Sequence, residues 1–218
     1  MEKESIRLVA VADLHGKADR LEWLYRAVID NQADIAVLAG DLGSRRTCCS
    51  VLKVLSSLPV PVLLVGGNCD GWMRTPRFQP SASLIDLHLQ QKQILGIPFV
   101  GLKGAVPIPF HAKAGWREKR LLSVIQPFLN AQSVLVAHVP PRGSADRVMG
   151  RFHAGSGALA RLVDSFQPRL VICGHIHEDA SVVKRGRTYV VNCSMGGGGR
   201  GVLIDLVKGS DEVLVKLL

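Results

Sequence analysis

Three apolar runs rich in β-branched residues open this chain at near-regular intervals. Residues 6–12 read IRLVAVA, 34–39 read DIAVLA and 60–65 read VPVLLV. Runs that are apolar throughout, rather than alternating, belong to strands covered on both faces. Between them, Leu21, Leu24, Tyr25, Val28 and Ile29 make one stripe of a helix over 17–31, and Val51, Leu52, Val54 and Leu55 make another over 47–58. Strand, helix, strand, helix, strand at this spacing is a βαβ series. It requires parallel pairing, because each helix carries the chain back to the starting edge of the sheet.

The pattern is less regular afterwards. Residues 70–80 contain proline and arginine without periodicity and read as a loop, and a short strand at 99–102 precedes a proline-interrupted stretch at 106–109. A helix with a basic beginning is predicted over 116–130 and a second over 156–166. Strands are predicted at 133–137, 170–173, 188–192, 202–207 and 212–217. Late strands joined by short turns such as Lys184-Arg185-Gly186-Arg187 predict antiparallel hairpins. The sum is a mixed sheet system with helices outside, without internal repeats.

Composition limits the alternatives. With 218 residues and 47% hydrophobic content the chain has material for one sizeable core, so a single domain over 1–218 is expected. No run approaches the roughly 20 apolar residues of a membrane span, and Met1-Glu2-Lys3-Glu4-Ser5 lacks the apolar core of a secretory signal. Five cysteines, an odd number, do not make a disulfide framework. A cytoplasmic protein with no membrane partner is the expectation. The 27 Lys and Arg against 18 Asp and Glu leave a formal charge of +9, which points to an anionic ligand without naming it.

The chemistry is written at the strand ends. The first run stops at Asp13-Leu14-His15-Gly16, the second at Gly40-Asp41, and the third at Gly66-Gly67-Asn68-Cys69-Asp70. The strand at 133–137 runs into His138, and that at 170–173 into Gly174-His175-Ile176-His177. Open α/β sheets form their sites at the carboxyl ends of strands, so these five ends can converge on one crevice. Asp13, Asp41, Asn68, His15, His138, His175 and His177 offer only oxygen and imidazole donors, which suit Mn, Fe, Zn, Ni or Co. Seven donors are too many for one ion with an open position, and they fit two ions sharing a carboxylate.

These five elements, in this order and spanning residues 13–177, resemble the calcineurin-like metallophosphoesterase superfamily. The stretches Val136-Ala137-His138-Val139-Pro140-Pro141 and Val171-Ile172-Cys173-Gly174-His175-Ile176-His177-Glu178 look like its small prokaryotic members in particular. The resemblance implies a four-layer α/β/β/α sandwich of two mixed sheets flanked by helices. It assigns one divalent ion to Asp13, His15, Asp41 and His177, and another to Asp41, Asn68, His138 and His175, with Asp41 bridging. It further implies hydrolysis of a phosphodiester or activated monoester by a hydroxide that bridges the two ions. Asp41, Asn68 and His138 would then serve catalysis directly, with Asn68 also contacting substrate.

One element departs from the family. Many members carry His after Gly-Asn, where it assists the leaving group, whereas this chain has Cys69 followed by Asp70. A thiol cannot supply a cationic imidazolium, so alkyl monoesters are expected to be poor substrates unless His153 or another group substitutes. Asp70 either orients Cys69 or a metal ligand, or makes a plain Asx turn. His153, whose segment opens the predicted helix, either faces substrate or is an incidental part of a capping segment.

Other features read more plainly. The 196–199 glycine run lacks the Lys-Ser/Thr ending of a P-loop and is expected to be a flexible connection between strands. Arg45-Arg46, residues 116–120 and residues 184–187 are expected to be solvated faces and a hairpin tip. His88 and His111 are expected to play ordinary structural roles, and Cys48, Cys49, Cys173 and Cys193 to be small core or turn residues. A small phosphoester is the expected substrate. A nuclease is the alternative suggested by charge, but 5% aromatics leave little for base stacking. A non-catalytic scaffold of the same fold is disfavoured by the full donor set, and a dinucleotide binder by the missing G-x-G-x-x-G. The oligomeric state, a homodimer included, is not specified.

Overall fold

The computed structural model describes residues 4–76, 78–104 and 112–218. Strand β1 (Ser5–Val11) is apolar on both faces because each face meets a different layer. Val9 and Val11 pack with Leu21, Leu24 and Val28 of α1 (Ala18–Asp30) and with Val51 and Leu55 of α2 (Cys48–Ser57). Ile6, Leu8 and Ala10 point the other way, into a core shared with a second sheet. The period of two along a strand thus produces two hydrophobic layers from one sequence run.

The first sheet continues with β2 (Ile35–Ala39), β3 (Val62–Val65) and β4 (Leu84–Asp86), all parallel to β1. The second sheet draws on β5 (Gln91–Ile94), β6 (Ile97–Leu102), β7 (Val134–Ala137), β10 (Leu170–Cys173), β11 (Val182–Arg185) and β12 (Thr188–Asn192). Its central strands β6, β7, β10 and β12 are parallel, and β5 and β11 close its edges antiparallel. The chain then returns to the first sheet, where β13 (Val202–Val207) pairs antiparallel with β1 and β14 (Val213–Leu217) with β13. The strand orders are β14-β13-β1-β2-β3-β4 and β11-β12-β10-β7-β6-β5.

Between the sheets lie Leu8, Val37, Leu63, Phe99, Val136, Ile172 and Ile204, all fully buried. The outer face of the second sheet is covered by α3 (Ala112–Ile125) and α4 (Gly157–Phe166), through Leu122, Ile125, Leu159, Leu162 and Val163. This is the α/β/β/α order of layers that the resemblance implies. The Ser156 hydroxyl caps α4 by accepting from the Leu159 N–H at 2.9 Å.

Several expectations change. The aperiodic 70–80 stretch contains a 3-10 turn at Gly71–Arg74, seated by the fully buried Trp72, whose indole N–H donates to the Gly43 carbonyl. The helix predicted over 116–130 begins earlier and ends at Ile125, where Pro127 enters a 3-10 turn (Gln126–Phe128). Strands β4 and β5 carried too few residues or too little apolar character to be read. So did the small hairpin of β8 (Arg147–Val148) and β9 (Phe152–His153). The hairpin predicted at the 184–187 turn, in contrast, joins β11 to β12. The 106–109 stretch and His111 lie outside the described residues. Among the described residues no helix is long and apolar enough to cross a membrane.

Candidate metal centre

Four of the seven strand-end donors occupy a backbone position that costs energy to hold. Asp13 (φ 60°), His15 (φ 52°), Asp41 (φ 52°) and His175 (φ 71°) all adopt the left-handed region. Side chains other than glycine rarely do, and such strain clusters where geometry serves function. The surrounding hydrogen bonds enforce it. Asp13 N–H donates to the Gly40 carbonyl and His15 N–H to the Asp41 carbonyl, both at 2.9 Å, so the β1 and β2 ends fold over each other as one unit. His175 N–H donates to Asp13 Oδ2 at 3.0 Å, which draws the β10 end onto the β1 end across the two sheets.

The donors lie close to one another. Asp13 Oδ1 lies 3.3 Å from His177 Nε2, which lies 3.5 Å from His15 Nε2. His138 Nε2 lies 3.7 Å from Asp41 Oδ1. Asn68 Nδ2 lies 3.4 Å from His175 Nδ1, and the His138 and His175 rings meet edge to face at 5.0 Å. Among the described residues, three groups bring their donor atoms within 4.8 Å of one another: Asp13, His15 and His177; Asp13, Asp41 and His138; and His15, Asp41 and Cys69.

Two buried atoms test whether this set suits cations. Asp13 Oδ1 and His138 Nε2 are buried without a hydrogen-bond partner among the described residues, although an imidazole or carboxylate stands within 4 Å of each. Orphaned buried polar atoms are costly and rare. Donors about 2.1 Å from a shared ion stand roughly 3–3.5 Å apart, close to the spacings seen here. His138 Nδ1 lies 2.8 Å from the Ala39 carbonyl, which accepts its proton and leaves the Nε2 lone pair for the site. The residues therefore fit divalent ions. Burial and the neighbouring His138 hold the His175 imidazole below its usual range, which favours the neutral ligand form.

Two groups outside the donor set brace it. Asp70 is buried and accepts N–H bonds from Gly67 (2.8 Å), Gly43 (3.0 Å) and Leu42 (3.1 Å). It clamps the β2 and β3 ends together, so the Asx-turn alternative is set aside. Burial pushes its carboxyl up, while the three N–H donors pull it back. Gly67 passes against Asp41 so closely that a Cβ there would collide with the Asp41 carboxylate and backbone. The 196–199 run is corrected: it includes a 3-10 turn whose Gly196 packs onto the His177 ring where a Cβ would not fit. It seats a donor and is not a loose connection.

Cys69 stands inside the donor cluster. Its backbone N–H donates to Asp41 Oδ1 at 2.8 Å. Partial burial and the adjacent Asp41 carboxylate push its thiol up to about 11. His153 is not opening a helix; it lies on β9, and its Nδ1 meets Asp146 Oδ1 at 2.6 Å. Asp146 is fully buried and also accepts the Gly155 N–H. Sequence reasoning passed over Asp146 and Asn192, since neither ends an apolar run with a motif beside it. Asn192 Nδ2 donates to the Ala145 and Ile176 carbonyls and so ties the β8–β9 segment to the segment bearing His175 and His177.

The plainer residues sort as follows. His88 accepts the Lys103 N–H at 3.2 Å and keeps away from the donor set. Arg45 and Arg46 are exposed. Arg185 does more than sit at a hairpin tip: it forks onto both Asp164 oxygens at 2.6 and 2.7 Å. Cys48, Cys173 and Cys193 are buried and Cys49 is exposed.

Known proteins share this fold. The uncharacterized protein MJ1162 of Methanocaldococcus jannaschii is 28% identical over 200 residues, covering 87% of this chain and 88% of its own. The crystal structure of TT1561 of Thermus thermophilus superposes with a TM-score of 0.72 at 17% identity, over 97% of this chain and 98% of that one. A dimetal phosphatase from Danio rerio superposes at 0.63 with 14% identity, over 97% and 98%. The calcineurin-like phosphoesterase family matches residues 6–179, and with its fold, its strand-end order and its donor cluster the chain belongs to that family.

Proposed function

We propose that this chain is a metal-dependent phosphoesterase whose preferred substrate is a small phosphodiester or an activated monoester. The observation that carries the reading is the pair of orphaned buried donors, Asp13 Oδ1 and His138 Nε2, each within a group of carboxylate and imidazole ligands. Asp13, His15 and His177 would hold one divalent ion, Asn68, His138 and His175 the other, and Asp41 would serve both. Mn, Fe, Zn, Ni and Co are the candidates by donor chemistry. When bound, two such ions supply positive charge for the phosphoryl oxygens and acidify water for attack on phosphorus.

The protein's own groups set what the ions cannot. The Ala39 carbonyl fixes the His138 tautomer, and Asp70 fixes the loop that presents Asn68. Cys69 beside Asp41 holds its proton well above neutral pH and carries no positive charge. No cation at position 69 is therefore available to protonate a departing alkoxide, and a leaving group must be stable without that help. This favours aryl or otherwise activated esters.

The test is hydrolysis of aryl mono- and diesters, cyclic nucleotides and oligonucleotides by protein stripped of metal and then reloaded with each candidate ion. Metal-dependent cleavage of small diesters that disappears in Asp41→Asn is the expected result. Activity that survives loss of Asp41 would overturn the two-ion assignment, and cleavage restricted to oligonucleotides would replace the small-ester reading.

A further inference from the structure

At the edge of the sandwich opposite the donor cluster, a cavity of about 360 Å³ opens between the two sheets. The metal-type ligands sit at the carboxyl ends of the parallel strands. This cavity instead takes Arg169, which precedes β10, and Lys208, which follows β13. Its apolar wall is Leu95, Ile97, Pro98 and Leu206. Leu95 is 54% exposed although it lies at the turn between β5 and β6 beside an otherwise covered core.

Arg169 is the unusual group. It is only 6% exposed, yet among the described residues no carboxylate hydrogen-bonds to it. Its Nη2 donates to the Val207 and Glu212 carbonyls, while Nε is buried without an acceptor among the described residues. Asp211, the nearby acid, attracts Arg169 through space but spends its hydrogen bonds on Arg187 and Gln132. A buried guanidinium stays charged, and a buried charge that no carboxylate hydrogen-bonds is only partly compensated. With both Nη2 hydrogens spent on those carbonyls, the guanidinium offers an oxyanion its charge and its remaining N–H groups.

We propose that this cavity is a binding site for a small amphiphilic oxyanion, distinct from the metal centre. The anionic head, a carboxylate or a phosphoryl group, pairs with Arg169, with Lys208 adding charge at the rim. The apolar body lies along Leu95, Ile97, Pro98 and Leu206. Those residues belong to both sheets, so the occupant braces the open edge of the sandwich.

The experiment is titration of the zinc-loaded, isotope-labelled protein with octanoate, octylphosphonate and inorganic phosphate, followed by amide chemical shifts. The expected result is saturable movement of the Gly96, Leu206 and Gly209 amides with one or both octyl ligands, and weaker binding of phosphate, which lacks the tail. The stronger of the two octyl ligands identifies the head group. Lys208→Ala should weaken binding about threefold and Arg169→Gln about tenfold. If Arg169→Gln fails to fold, Leu95→Asp, at an exposed position, should abolish the tail-dependent gain. Movement confined to residues around Asn68 and His175, or no movement at millimolar ligand, overturns the proposal.

Discussion

The Cys69 backbone N–H donates to Asp41 Oδ1 at 2.8 Å, so the residue at the departed position of the family motif orients the carboxylate proposed to serve both ions. That bond uses the main chain and not the thiol. Exchanging the side chain should therefore change substrate preference without emptying the site. In Cys69→His an imidazole replaces a neutral thiol, and turnover of alkyl phosphomonoesters should rise at least tenfold relative to an aryl diester, within the range ascribed to general acids. Metal content by elemental analysis should stay at the wild-type level. An unchanged monoester-to-diester ratio would refute the role given to position 69.

Asp70 accepts three backbone N–H groups from two strand ends, which makes it the most connected acid near the centre. Asp70→Ala leaves three donors unpaired, two of them buried, and should cost roughly 2–4 kcal/mol of stability. Asp70→Asn keeps one acceptor oxygen and should cost about 1–3 kcal/mol. Urea denaturation measures both. In any fraction that folds, kcat should fall more than KM rises, because the Asn68 loop loses its anchor.

Ion binding should raise stability by mass action. At a hundredfold excess over its Kd, a divalent ion that binds only the folded protein adds about 2.7 kcal/mol per site. Calorimetric unfolding of stripped and reloaded protein should show that upward shift in Tm. His138→Ala should reduce it, since its Nε2 has no other partner among the described residues. Equal shifts in wild type and variant would place the ions elsewhere.

His88 supplies a pH signature away from the centre. Burial, with Lys103 and Arg74 nearby, pulls its imidazole from 6.5 down to about 4, so the folded protein keeps it neutral while the unfolded chain takes up a proton. The unfolded state then binds more protons between those values, and stability rises with pH across that interval. Its contribution is complete above about 6.5 and is lost as pH falls toward 4. In His88→Gln the slope of unfolding free energy between pH 6.5 and 4 should flatten. An identical slope in the variant would locate the acid sensitivity in other groups.

The order of strands and helices through β3 was legible because continuous apolar runs and helical stripes are local patterns, set by which faces a segment must bury. The donors were legible for a related reason: Asp13, His15, Asp41, His138, His175 and His177 each follow closely on an apolar run, and a run's end is visible in the chain. Short edge strands such as β5 were not legible, since QKQI has no face to bury and pairs only because β6 is there. Nor was Asp146, whose importance comes from full burial beneath His153 and Gly155. The sequence by itself determined which runs become strands and which donor-type side chains stand at their ends. Tertiary structure alone decided which donors face one another and that Gly196 would seat His177. It alone also left Arg169 buried beside a cavity. Those outcomes depend on contacts between segments far apart in the chain, which no local periodicity encodes.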